Sequence, residues 1–169
     1  MKIYGDVISP FVRMCLVTAH EAGLKDKVKL EKASAKQTEV NTALEKLSPI
    51  GKIPVLETDH HHALYDSRVI MEYLAHIGGN STLIPDDGVK RFRVLTLLAL
   101  AQGMGDAAVA LRYEQAQRPE GNQWPEWRTR TIQRIKAGLD DVENNWQDQL
   151  ANVNAGTIAL ACVLGYIDF

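Results

Sequence analysis

The pattern of apolar residues changes character at residue 78, and a chain that changes period there has to build two differently layered units. Ahead of that point, short alternating runs and helical stretches take turns. "KIYGDV" reads as a strand, after which Ser9 caps a helix with Pro10 at its first position. Phe11, Cys15, Ala19 and Ala22 then recur at helical spacing until Gly23 stops the pattern. "KVKLEKA" supplies a second strand and "QTEVNTALEKL" a weaker helix, while residues 53–57 and 63–65 form two strands joined by "TDHHH". A third helix is capped near Asp66 or Ser67, with Ile70, Leu74 and Ile77 on one face. The expected order is β-α-β-α-β-β-α, with a right-handed crossover between the first two strands.

"GGNSTLIPDDG", residues 78–88, is rich in Gly, Pro and small polar residues and reads as a linker. Beyond it the spacing is helical throughout, from Val89 to about Gln117 and from Glu126 to Leu150, with Ile132, Ile135, Leu139, Val142, Trp146 and Leu150 on one stripe. The closing "GTIALACVLGYIDF" is apolar nearly all round, which predicts a helix buried on every side. Two partner helices cannot surround it, so the natural chain is expected to extend past Phe169. The division that follows is an α/β unit over 1–77, a linker over 78–88 and an all-α unit over 89–169, incomplete at its C-terminal end.

Composition narrows the function classes. The 169 residues are 46% hydrophobic and 24% charged, an ordinary soluble globular mixture. A net charge of −2 provides no basic field for nucleic acid or an anionic membrane, so small-molecule or protein partners are expected. "MKIYGDVISP" lacks the apolar core of a signal peptide, and no run approaches the roughly 20 apolar residues of a membrane helix. Cys15 and Cys162 both lie in apolar helical patterns, as structural buried thiols do. No disulfide framework follows, and a cytoplasmic location is expected, with the Asn80-Ser81-Thr82 sequon idle.

Three tempting motifs reduce to structure. "GMGDAA" at Gly103 matches a dinucleotide fingerprint but lies within a helical run, where small residues admit a neighbouring helix. His60, His61 and His62 read as a polar hairpin tip, so no metal site is expected. "RTRTIQRIK" places its charges opposite the apolar stripe, as a solvated helix face does.

What remains is "SPFVRMC" at Ser9, "SPIGKIPVL" at Ser48 and "LYDSRVIMEYL" at Leu64, in that order and ahead of a helical half. Together these resemble the cytosolic glutathione S-transferases along the whole chain, and "TIALACVLGYIDF" is similar to their bacterial YibF-like branch. The resemblance implies a thioredoxin-like (glutaredoxin-like) first domain over 1–77 and the helical transferase domain after it. It implies glutathione as co-substrate, with no permanently bound cofactor, and a small apolar electrophile as its partner in a detoxifying conjugation by a homodimer.

The resemblance also implies the site. Ser9 is its catalytic residue, donating a hydrogen bond to the glutathione thiolate. Ile53, ahead of a cis Pro54, pairs with the cysteinyl backbone, and Lys52 meets the glycyl carboxylate. Asp66, where the family usually carries Glu, takes the γ-glutamyl ammonium, and Ser67 takes its carboxylate. Phe11 belongs to the glutathione-binding set and lines the electrophile pocket between the domains with Met104, Ala108 and Leu111, and Asp106 reaches in from the partner subunit. Read from the residues alone, Ser9 and the Asp66-Ser67 pair are equally plain helix caps, and Lys52 a solvated lysine. Two other readings stand beside conjugation: a non-catalytic binding or regulatory protein of the same fold, and a glutathione-dependent disulfide reductase. The absence of cysteine from the Ser9 position weighs against the second of these.

Overall fold

A computed structural model describes residues 1–168. Its N-terminal part holds four strands, β1 (Lys2–Gly5), β2 (Lys29–Lys32), β3 (Val55–Glu57) and β4 (Ala63–Leu64), in the order β2-β1-β3-β4. β1 and β2 are parallel, while β3 runs antiparallel to both β1 and β4. Three helices accompany the sheet: α1 (Pro10–Glu21), α2 (Thr42–Leu47) and α3 (Ser67–Ile77). The remainder is helical, with α4 (Gly88–Ala116), α5 (Pro125–Asn145), α6 (Gln147–Leu150) and α7 (Ala155–Ile167). This is the thioredoxin-like layer followed by a helical part that the sequence resemblance implies.

α1 holds the two parts together. Val12, Met14 and Cys15 are fully buried, and at about 1.5–3 kcal/mol for each large apolar side chain their burial outweighs anything β2 supplies, since β2 is exposed along its length. β1 can lie this close only because Gly5 has no side chain: a Cβ there would come 2.4 Å from Val12 Cγ2. α7 packs on α4 in the same way, because a Cβ on Gly156 would meet Leu97 Cβ at 2.8 Å and the Val94 carbonyl at 2.9 Å. Asn154 and Thr157 close the start of α7 with a reciprocal capping box.

Four sequence expectations are corrected here. α2 is confined to six residues, started by Asn41 accepting from the Leu44 N–H at 3.1 Å, because most of "QTEVNTALEKL" offers only one buried residue, Leu44, to hold a helix down. In α3, Met71 joins Ile70 and Leu74 in the core while Ile77 at the last position turns to solvent. The long second helix of the helical part ends at Asn145, because Trp146 turns inward. Its indole N–H donates to Asp141 at 2.8 Å and its ring lies 4.8 Å beneath the Arg93 guanidinium, which pairs with Asp148 at 2.6 Å. Ile132 and Leu150, at the two ends of the expected stripe, are exposed. The segment 155–167 is not covered all round either, since Ala161, Leu164 and Gly165 form an outward stripe.

α4 also departs from the expectation that no run is apolar enough to cross a membrane: an 18-residue window of it passes that test by composition. Those apolar residues serve packing, with Val94, Leu97, Leu98, Ala101 and Met104 buried against α7 and α5.

Candidate functional site

A cleft of about 1800 Å³ opens between α4 and the loop ends of the sheet layer. Three chain segments from the N-terminal part converge on it: Ser9 to Phe11 entering α1, Lys52 to Pro54 entering β3, and Tyr65 to Arg68 entering α3. The Ile53–Pro54 peptide bond is cis, as is Tyr65–Asp66. Two helix N-termini face this one space, each with the positive end of a helix dipole.

The two ends are engaged differently. Ser9 Oγ accepts from the Val12 N–H at a long 3.4 Å, which leaves its hydrogen and most of its acceptor capacity unspent. At α3 the contacts are tighter. Asp66 Oδ1 accepts from the Arg68 N–H at 3.0 Å, and Asp66 Oδ2 pairs with the Arg68 guanidinium at 2.9 Å. That guanidinium is the main reason the Asp66 carboxyl lies below its ordinary range. Ser67 is buried, and its hydroxyl oxygen accepts from the Gln102 side-chain amide on α4.

α4 forms the opposite wall with a different face from the one expected. Gln102, Gly103, Asp106, Val109, Ala110 and Tyr113 line the cleft, whereas Met104, Ala108 and Leu111 do not. Met104 faces α5, where a Cβ on Gly138 would lie 2.6 Å from its sulfur. The close approach expected near Gly103 belongs to Gly105, whose missing Cβ would sit 3.0 Å from Val163 Cγ2 and 3.3 Å from Phe11 Cε1. Around Gly103 itself the space is open. Asp106 lies in the cleft of its own chain: partial enclosure pushes its carboxyl up, opposed by Lys52 and Arg68. Toward the far end the lining becomes aromatic, with Tyr113, Trp124, Trp127 and Tyr166. Tyr113 also reaches across to the Ala35 carbonyl at 3.4 Å.

The thiols and histidines lie elsewhere. Cys15 is fully buried, and that burial pushes its pKa well up; Cys162 is raised by burial too. Neither lines the cleft. His60, His61 and His62 are exposed at the β3–β4 turn, with His61 Nδ1 3.2 Å from Glu57 Oε1. Among the described residues no cluster of three or more His, Cys, Asp or Glu is placed to hold a metal ion.

The family model described as "Glutathione S-transferase, N-terminal domain" matches residues 8–77. The Escherichia coli K12 protein named "Uncharacterized GST-like protein YibF" is 32% identical over 172 residues, covering 100% of this chain and 83% of its own. The chain belongs to the glutathione S-transferase family. Among solved structures, a glutathione transferase family member from Pseudomonas fluorescens Pf-5 with bound glutathione superposes with a TM-score of 0.96 at 38% identity, over 99% of this chain and 82% of that one. A second structure from that organism, with bound S-(propanoic acid)-glutathione, superposes with a TM-score of 0.90 at 37% identity, over 100% and 83%. The sequence marks the three segments from the N-terminal part that meet at the cleft but not Gln102. The one signal for it was a polar residue inside the apolar run "LLALAQGMG".

Proposed function

We propose that this protein binds glutathione in the cleft and activates its thiol for attack on a small apolar electrophile. One observation carries the reading: the entrances to α1, β3 and α3 present their polar groups to a single space. An extended tripeptide matches them in order. The cysteinyl backbone pairs with Ile53 ahead of Pro54, the γ-glutamyl carboxylate meets the α3 N-terminus at Ser67, and the ammonium meets Asp66. Lys52 is exposed at the cleft edge and takes the glycyl carboxylate. Two structural relatives hold glutathione or a conjugate of it, which supports the same ligand here.

The thiol then falls beside Ser9 at the α1 N-terminus. A hydrogen bond to a charged group is worth about 1.5–3 kcal/mol. At about 1.36 kcal/mol for each pKa unit, the Ser9 hydroxyl brings the bound thiol from about 8.5 to near neutrality. The thiolate attacks the electrophile, which lies against Phe11 and the aromatic end of the cleft. Both cysteines are buried away from the cleft, which favours conjugation over disulfide exchange. A homodimer through α3 and α4 belongs to the reading, since Val69 and Phe92 leave apolar surface exposed on those helices. Asp106 is assigned to the glutathione site of its own subunit, as an additional partner for the ammonium.

The test is a calorimetric titration with glutathione, followed by conjugation assays with a chlorodinitrobenzene and an α,β-unsaturated carbonyl. Binding with turnover supports the proposal. Binding without turnover of any electrophile favours a non-catalytic binding protein, and no binding at millimolar glutathione overturns both.

A further inference from the structure

We infer that Gln102 sets the direction of the Ser67 hydroxyl, making it a dedicated donor to the carboxylate of the bound γ-glutamyl group; the inference rests on the glutathione reading above. A serine hydroxyl has one hydrogen to give and two lone pairs to receive. Left alone it rotates and uses either. Here the Gln102 side-chain N–H occupies a lone pair of Ser67 Oγ, so the serine hydrogen cannot point toward α4. It is turned to the cleft, which both residues line.

Burial makes the restriction effective. Ser67 is 3% exposed and Gln102 8%, so little water competes for either group. The bond also crosses from α4 to the first residue of α3, so the helical part of the chain fixes a donor in the sheet part. Gln102 is therefore a positioning residue. It acts through Ser67 and would not touch the reacting sulfur.

Gln102→Glu provides the discriminating test, because the replacement has nearly the same shape and opposite hydrogen-bond polarity. As a carboxylate it accepts the Ser67 hydrogen and withdraws it from the ligand; as a neutral acid it donates once more. The probe is S-methylglutathione, whose sulfur cannot ionise, titrated from pH 7.5 down to 5 against wild type and variant. Tyr65 and Asp66 ahead of α3, Arg68 on it, Asp106 on α4, Lys52 ahead of β3 and Cys15 on α1 are other titratable groups around the pair. All are common to both proteins, so the affinity ratio isolates the new carboxyl. The ratio should show a loss of about 10- to 100-fold at pH 7.5 that shrinks as pH falls.

Gln102→Met, which keeps the length and removes the donor, should lose about three- to tenfold at every pH. Thermal unfolding of both variants verifies that they are folded. A third arm uses the tripeptide lacking the γ-glutamyl α-carboxylate, which should bind wild type and Gln102→Met equally. A pH-independent ratio for Gln102→Glu, or undiminished affinity in Gln102→Met, overturns the assignment, since an amide that accepted the serine hydrogen would tolerate a carboxylate. If wild type binds no S-methylglutathione, the glutathione reading falls and this role with it; binding by wild type with insensitive variants removes Gln102 alone.

Discussion

The N-termini of α1 and α3 face the same cleft with a serine each, yet the two serines are held in opposite ways. Ser9 is half-buried and spends only a long 3.4 Å contact on its own helix. Ser67 is buried and is gripped by an amide from another helix. A weakly held hydroxyl can follow a thiol as it ionises and is then consumed; a firmly held one recognises a group whose charge never changes. On the proposed function, the contrast separates chemistry at α1 from retention at α3, although a polar residue caps each helix, Ser9 in one case and Asp66 in the other.

The largest effect that sharpens this contrast is expected from Ser9→Ala. Conjugation at pH 7 should fall by about 10- to 100-fold while glutathione affinity stays within about twofold, and the deficit should close as pH rises and the thiol ionises unaided. Steady-state kinetics from pH 6 to 9.5 beside calorimetry measures both. Equal losses in affinity and rate would erase the distinction between the two ends.

Ser67→Ala should do the reverse. Its dissociation constant for glutathione should rise by about tenfold, with turnover at saturating glutathione retained. A smaller perturbation confined to the α1 end comes from Gly105→Ala, whose added methyl must displace Phe11 or Val163 by a few tenths of an ångström. Electrophile turnover should change by about two- to threefold with glutathione affinity unaltered.

The smallest effect is electrostatic and belongs to α3. The Arg68 guanidinium lowers the Asp66 carboxyl in the folded protein. A depressed acid stabilises the fold fully above its unfolded pKa of about 3.9 and loses that contribution as pH falls through the folded value. The pair is exposed, so it is worth less than about 1 kcal/mol. The difference in Tm between wild type and Asp66→Asn should be level from pH 8 to about 5 and disappear as the carboxyl is protonated.

How much of this was readable beforehand follows from where each signal resides. The strand and helix order ahead of residue 78 is visible because Pro10, Gly23 and the 53–57 and 63–65 runs punctuate it locally. The three segments around the cleft are legible for the same reason, since a capping residue or a proline leaves its mark where it acts. The face of α4 is not legible in this way. Its run is apolar on several sides, so periodicity cannot rank Met104 against Gln102, and only the packing of α5 and α7 decides which face is left for the cleft. Trp146 shows the same limit: it fits the stripe from Ile135 to Val142, but its pairing with Asp141 and Arg93 ends the helix there. A long-range contact such as that between Gln102 and Ser67, 35 positions apart, has no local sequence signature.

The placement of the tryptophans gives the molecule a built-in optical asymmetry. All three lie in the helical part: Trp124 and Trp127 line the aromatic end of the cleft, and Trp146 is sealed beneath Arg93. Emission excited at indole wavelengths therefore originates in the helical part alone. Unlabelled protein should report conjugate arrival through the first two and loss of the helical core through the third. If the sheet layer loosens before the helices, circular dichroism will change while the fluorescence holds steady. Coincidence of the two signals marks a single cooperative unit, and their separation reveals two.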